Sequence, residues 1–156
     1  TIAKNDSTSI YGSAIMISES SRQEGLIYVG TDDGVLNVTE DNGATWRRTT
    51  KFANVPDMTY IDDVLASSHD TDVVYAVLEN HKRGDYKPYV LKSENRGRSW
   101  KSISGNLPER GSAHTIVEDH VDPDEHPGPD LLHGIRQLRR VHQPGDDRDD
   151  RQRDGV

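Results

Sequence analysis

The stretch TEDNGATW at residues 39–46 decides the fold, because it recurs as SENRGRSW at residues 93–100. Both copies keep one spacing of a hydroxyl residue, an Asp or Asn, a glycine, a second hydroxyl residue and a tryptophan. Five constrained positions matched twice in a short chain indicate an internal repeat, and a repeat sets the architecture. The matched residues are Thr39, Asp41, Gly43, Thr45 and Trp46 in the first copy and Ser93, Asn95, Gly97, Ser99 and Trp100 in the second.

The repeated pattern is chemically suited to a tight turn between two strands. The Asp41 carboxylate and the Asn95 amide oxygen can accept hydrogen bonds from backbone N–H groups of their own loop. The glycine of each copy can adopt the positive φ that closes such a turn. Each tryptophan is expected to bury its ring between neighbouring sheets and to donate its indole N–H to a carbonyl. A catalytic role for Asp41 is the weaker interpretation, because turn chemistry already accounts for every fixed position.

The segments around the two copies predict two units of four short strands each, joined by tight turns into antiparallel sheets. The predicted strands are residues 13–18, 26–30, 35–38 and 46–50 in the first unit and 60–67, 73–78, 88–91 and 99–103 in the second. Tyr28 aligns with Tyr75 at an offset of 47, whereas Trp46 aligns with Trp100 at an offset of 54. The two offsets differ by seven residues, which indicates one insertion in the second unit, at residues 81–87.

The last third of the chain differs in composition from the two units, since all nine aromatic residues lie at or before position 100. A third unit is expected to begin at residues 114–118 and to extend over 112–132, whereas residues 1–12 suggest a loop or the tail of a preceding element. Residues 133–156 are too polar to form a packed strand. They are either a disordered, charged tail or a frameshifted reading, since a one-base shift near codon 133 can restore Thr-Glu-Phe-Gly at the position equivalent to residues 31–34.

Composition and charge exclude several functions. A net charge of −8 disfavours nucleic acid as a partner, because phosphate-binding surfaces need excess Lys and Arg. The absence of cysteine excludes disulfides and thiolate metal sites, and the seven histidines show no paired spacing, so neither a metal nor a cofactor is expected. No apolar run is long enough for a membrane span. The chain begins at Thr1 rather than at a methionine, which leaves room for an upstream leader and suggests a fragment.

The two motif copies resemble the Asp-box, or BNR, repeats of bacterial neuraminidases. Residues 28–35 and 87–93 resemble bacterial sortilin-like propeller proteins often labelled glycosyl hydrolases. The resemblance covers residues 13 to about 132 and implies an all-β fold, a β-propeller that closes with about 4–8 four-stranded blades. The chain would hold two of them, at residues 13–52 and 53–106, plus part of a third, so further blades are expected elsewhere. We expect marginal stability, because a terminal repeat lacks a neighbour on which to bury a face.

The same resemblance implies where ligands bind. In such propellers the Asp-box turns lie opposite the loops of the functional mouth, which here are Asp32 with Asp33, Glu79 with residues 81–87, and residues 52–57. Xyloglucanases are similar in placing a catalytic Asp after a Thr at this turn, so Asp32 is the first catalytic candidate and Glu79, aligned with it, the second. Glycoside hydrolysis needs two carboxylates about 5–9.5 Å apart. Ordinary turn chemistry is the favoured alternative for Asp32.

The insertion combines basic residues with an aromatic ring that could stack on a sugar, and long excursions on a rigid scaffold often bind ligands. The expected ligand-binding loop residues are Asp33, His81, Lys82, Arg83 and Tyr86. The leading interpretation is a protein- or glycan-binding propeller module of a larger secreted or periplasmic protein, although a cytoplasmic location and an assembly factor for a membrane complex remain open. The alternative is a xyloglucanase-like glycoside hydrolase, inactive as this fragment alone, so the expected partner is a polysaccharide or a protein.

Overall fold

A computed structural model describes residues 12–119 as two four-stranded antiparallel sheets, each with its strands in sequential order. The first sheet contains β1 (Ala14–Glu19), β2 (Ile27–Thr31), β3 (Leu36–Thr39) and β4 (Arg47–Thr49). The second contains β5 (Tyr60–Ala66), β6 (Val74–Asn80), β7 (Asp85–Ser93) and β8 (Lys101–Ser102). A 3-10 turn, His81–Arg83, precedes β7. The predicted all-β class and the two antiparallel units are confirmed.

The strand register repeats between the two sheets. Ala14 pairs with Thr31 in the first sheet, and Ile61 pairs with Leu78 in the second. Both partners of the second pair lie 47 residues after their counterparts in the first pair, which is the offset found between Tyr28 and Tyr75. Immediately after each of these pairs the ladder is interrupted by a bulge, before Met16 in one sheet and before Asp63 in the other. Since bulges re-aim the side chains that follow them, the repeat extends to the details of strand geometry.

The main core lies between the two sheets. Its buried members come from both sheets: Leu26, Tyr28, Leu36 and Val38 from the first, and Ile61, Val64, Val74, Ala76, Leu78 and Leu91 from the second, with Phe52 from the connection between the sheets. The sheets approach closely at Gly30, where an added Cβ would lie 2.7 Å from Cγ2 of Ile61. Burial of each large aliphatic side chain contributes roughly 1.5–3 kcal/mol, so this contact is the principal source of stability.

A second, smaller core covers the other face of the second sheet. It joins Tyr75, Val77 and Val90 to Ala113 and Ile116 of the segment that follows β8. Residues 114–118, expected to begin a third unit, pack along this sheet without strand pairing. The remainder of that unit, the tail at 133–156 and nearly all of residues 1–12 lie outside the described residues.

One face of the first sheet is uncovered within residues 12–119. Ile17 is 69% exposed and Trp46 is 49% exposed. The equivalent Trp100 is partly buried against the main core and meets the Phe52 ring edge-on, with centroids 5.6 Å apart. The expectation that both tryptophans are buried between sheets is therefore wrong for Trp46, because the described chain places no sheet against it.

The sequence predicts a loop for the insertion at 81–87, but in the structure this segment is not a free loop. His81–Arg83 form the 3-10 turn, and β7 starts at Asp85, three residues earlier than predicted. Gly84 makes this possible with a left-handed conformation (φ 77°) that reverses the chain, so Asn80 pairs with Asp85 across the hairpin. Strand pairing satisfies the backbone polar groups that a longer loop would leave to water.

Candidate functional site

The first copy of the repeated motif forms a closed turn between β3 and β4. Asp41 accepts hydrogen bonds through Oδ1 from the Thr45 backbone N–H (2.8 Å) and through Oδ2 from the Thr45 hydroxyl (2.6 Å). The Thr39 hydroxyl donates to Asp41 (2.8 Å) and accepts from the Gly43 N–H (2.8 Å). Trp46 donates its indole N–H to the Gly43 carbonyl (3.1 Å). The hydrogen bonds from Thr45, above all that of its hydroxyl, lower the pKa of Asp41.

The second copy repeats this arrangement between β7 and β8. The Asn95 amide oxygen accepts from the Ser99 backbone N–H (2.8 Å), and the Ser93 hydroxyl accepts from the Gly97 N–H (2.8 Å). Trp100 donates to the Gly97 carbonyl (3.2 Å). The polar groups of both turns are thus used by the turns themselves, and the arrangement offers strand reversal rather than catalysis.

Arg96, inside the second motif, connects the two sheets, which sequence reasoning missed. Its Nε lies 2.7 Å from Oδ1 of Asp72, and its Nη1 lies 3.0 Å from Oε2 of Glu40 in the first sheet's motif. Arg98 also pairs with Glu40 (2.8 Å). Burial opposes ionisation of Glu40, but the hydrogen bond from Arg96 and the charge of Arg98 outweigh it and lower the Glu40 pKa. The unconstrained positions of the repeat therefore carry the contact between its copies.

The predicted mouth lies at the opposite end of the sheets from the motif turns. In each antiparallel sheet, the connection between the second and third strands is at the end away from the connection between the third and fourth. There the insertion contacts the segment 52–57, since Arg83 Nη1 donates to the Asp57 carbonyl (3.0 Å). Gly34, which follows Asp33, lies against the residues just after that segment: a Cβ on Gly34 would be 2.6 Å from the Thr59 carbonyl oxygen.

Asp32 uses its carboxylate to hold the chain that leads into β1. Its Oδ1 accepts hydrogen bonds from the backbone N–H groups of Gly12 and Ser13, each at 2.9 Å. Its neighbour Asp33 accepts a short hydrogen bond from the hydroxyl of Thr31. Asp33 therefore bonds within its own turn, whereas these two hydrogen bonds of the Asp32 side chain go to residues 19 and 20 positions away rather than to its own turn. Asp33 lies on the turn between β2 and β3 of the first sheet and not with the basic residues of the insertion.

Glu79 is only 5% exposed and lies on the face of the second sheet that bears the smaller core. Its Oε2 makes a short contact with Nδ1 of His81. Nearby, Nδ1 of His114 lies 2.5 Å from Oδ2 of Asp62, and burial raises the Asp62 pKa despite this contact. No signal in the sequence singled out Asp62, because it sits at the β5 bulge, which interrupts the alternation of faces.

The remaining predicted binding residues lie on the hairpin tip, defined as residues 80–87. Lys82 places its ammonium 4.8 Å from the centre of the Tyr60 ring. Tyr86 is covered by Arg110, whose Cζ is 5.2 Å from the ring centre, and its carbonyl accepts the Gly111 N–H (2.7 Å). Arg110 was missed because it follows β8 in sequence and reaches the tip only through the fold.

Residues 12–119 contain no group of three or more His, Cys, Asp or Glu side chains arranged to hold a metal ion. Over the same residues no helix is long and apolar enough to cross a membrane.

Comparison with known proteins agrees with the fold. No protein-family model matches the chain. The vacuolar protein sorting/targeting protein 10 of Arthroderma gypseum is 34% identical over 107 residues, which are 66% of this chain and 6% of that protein. The structure of YCF48 bound to D1 peptide superposes with a TM-score of 0.50 at 20% identity, covering 69% of this chain and 32% of that one. YCF48 from Cyanidioschyzon merolae gives 0.48 at 18% identity, covering 70% and 29%.

The peptide-bound YCF48 structure places the two sheets within a known architecture. It is a β-propeller, so each four-stranded sheet here corresponds to a propeller blade. The chain spans a small part of the curated relative it matches and about a third of the YCF48 chain bound to peptide.

Proposed function

We propose that the chain is part of a β-propeller that binds a protein ligand at its mouth. The observation that carries the proposal is a difference between the carboxylates and the cationic side chains at the mouth. The carboxylates of Asp32 and Glu79 are committed to contacts within the chain, whereas the exposed groups at the hairpin tip are donors on Lys82 and Arg83. A surface of exposed donors on a rigid hairpin suits recognition.

Two comparisons support a protein rather than a sugar as the ligand. YCF48, which shares the fold, was solved with a bound D1 peptide. The curated relative is a sorting and targeting protein. By the resemblance to secreted propellers, we also propose an extracellular or periplasmic setting.

Hydrolysis of a glycan is not part of this proposal. A general acid must be able to reach the glycosidic oxygen, and its partner must lie across an open groove. Glu79 is almost fully buried beside His81, and Asp32 bonds to two backbone amides. Neither carboxylate is placed as an exposed acid or nucleophile.

The experiment compares the two ligand classes on the purified full chain. An array of peptides of varied sequence is probed for binding, and soluble β-glucans are assayed for released reducing ends. We expect sequence-dependent peptide binding that is weakened by Lys82→Ala with Arg83→Ala. The control, Arg48→Ala with Lys101→Ala, removes the same charge from exposed positions on β4 and β8 and should bind normally.

Either of two results would contradict the proposal. One is the absence of binding to every peptide by a chain whose circular dichroism shows folded strands. The other is release of reducing ends that Asp32→Asn abolishes, which would restore the hydrolase interpretation.

A further inference from the structure

We propose that the hairpin tip is a binding site for a short acidic peptide segment. This rests on the proposed function and names the partner's chemistry. Four cations surround the tip: Lys82, Arg83, Lys87 and Arg110, all exposed. Within the described residues none of the four has a close ion pair with a carboxylate, although the chain carries a net charge of −8. One carboxylate, Asp85, lies on the tip itself, and the charge of Lys87 acts on it.

The contrast with other cations of the two sheets makes this grouping unusual. Of the eight other Lys and Arg residues within residues 12–119, Arg22 and Arg48 have no ion pair and six pair with carboxylates: Arg47, Lys51, Lys92, Arg96, Arg98 and Lys101. In a chain with an excess of Asp and Glu, cations find partners readily. Cations gathered at one hairpin without such partners are available to an external anion.

The tip also holds its cations in place without neutralising them. Lys82 lies over Tyr60 and Arg110 over Tyr86, so the rings attract the charges while leaving the outward N–H groups free to donate. Arg83 uses Nη1 on the Asp57 carbonyl and keeps further donors of its guanidinium. Side chains fixed before binding lose less conformational entropy when a ligand arrives.

Neighbouring carboxylates limit the size of the anion. Glu109 is exposed beside Arg110, and Asp57 is exposed on the segment that Arg83 touches. Asp33 lies on the turn of the first sheet that faces the same mouth. A long polyanion laid across this region would meet these like charges, whereas a short segment with a few Asp or Glu residues fits over the tip alone. The observations therefore favour an acidic peptide over an anionic polysaccharide.

The test measures fluorescence anisotropy of a labelled, glutamate-rich short peptide titrated with the full chain. A peptide of the same sequence with every Glu replaced by Gln is the ligand control. We expect the acidic peptide alone to bind, with an affinity that falls as salt is raised. The triple change Lys82→Ala, Arg83→Ala and Arg110→Ala should weaken binding about tenfold, since each exposed charge contact contributes a few-fold.

The matched protein control removes three exposed charges elsewhere, by Arg22→Ala, Arg48→Ala and Lys101→Ala, and should leave the affinity unchanged. Equal binding of the acidic and the Gln peptides would overturn the acidic site while leaving a protein-binding mouth intact. Unchanged affinity in the triple variant would overturn the location. Tighter, tip-dependent binding of a sulfated polysaccharide than of the peptide would overturn the choice of partner. If no peptide of any kind binds, the proposed function fails as well.

Discussion

Replacing Gly30 by alanine is expected to destabilise the contact between the two sheets. The new Cβ would lie 2.7 Å from Cγ2 and 3.2 Å from Cβ of Ile61, and 3.3 Å from Cγ2 of Val64. Ile61 and Val64 are buried in the main core, so neither side chain can move aside without disturbing others. Overpacking of this kind costs about 1–3 kcal/mol.

A smaller effect acts in the opposite direction. Alanine restricts the unfolded chain and is favoured over glycine in a strand by roughly 0.5–1 kcal/mol. The middle of each range, about 2 and about 0.75 kcal/mol, leaves a net loss of about 1.3 kcal/mol in the free energy of unfolding. With a urea m value of about 1–3 kcal/mol/M, the midpoint of unfolding should fall by roughly 0.4–1.3 M.

The assay is urea unfolding followed by tryptophan fluorescence, since Trp100 packs against this core. Gly105→Ala is the control, because a Cβ there meets nothing within 4 Å. We expect the control to unfold at or slightly above the midpoint of the unchanged chain. If Gly30→Ala and Gly105→Ala unfold at the same urea concentration, the close approach of the sheets at Gly30 is wrong.

Three further outcomes can be checked by similar measurements. Trp100→Ala should lower the free energy of unfolding in urea by about 2–4 kcal/mol, because its ring packs against the main core. Trp46→Ala removes a half-exposed ring and should lower it by less than about 1 kcal/mol. Equal losses in the two variants would contradict the different packing of the two tryptophans. The Glu40 pKa is lowered below its ordinary value of 4.5, so its contribution to stability is present above that pH and is lost as the pH falls through the lower, folded-state pKa. Glu40→Gln should therefore flatten the profile of unfolding free energy measured from pH 7 to 3. An unchanged profile would exclude the contact with Arg96 as the source of this pH dependence. Asp32→Ala should lower thermal stability by about 1–2 kcal/mol, whereas Asp32→Asn, which keeps the acceptor oxygen, should have little effect; similar losses would argue against the backbone contacts.

The repeat made most of the fold predictable. Spacing between tyrosines and tryptophans gave the two units, and alternation with turn residues gave strands that agree with the structure to within a few residues. Turn chemistry, which depends on neighbours in sequence, likewise anticipated the contacts of Asp41 and Asn95. These features depend on local interactions, which a sequence displays directly.

The features that were not predicted depend on distant parts of the chain. Arg96 and Glu40 are 56 positions apart, and neither position is constrained by the motif. Arg110 reaches Tyr86 only after the chain has passed through β8. The length of β7 depended on Gly84 adopting a left-handed conformation, which turned an expected loop into a hairpin. Whether each tryptophan is buried depends on whether another sheet packs against its face of the sheet. The pattern of residues along the chain does not show which faces are covered in this way.

The uncovered face of the first sheet has a consequence for any association of this chain. At the offset of 47, Ile17 corresponds to Val64, which lies in the main core. At the offset of 54, Trp46 corresponds to Trp100, which packs against that core. The uncovered face of the first sheet is therefore equivalent to the face of the second sheet that packs on the first. Such a face is expected to receive the opposite face of another sheet, which is the face that bears Gly30 in the first sheet. Because the two faces differ, contact through this surface is head to tail rather than two-fold symmetric. Such a contact generates a closed ring or an open filament, not a symmetric pair.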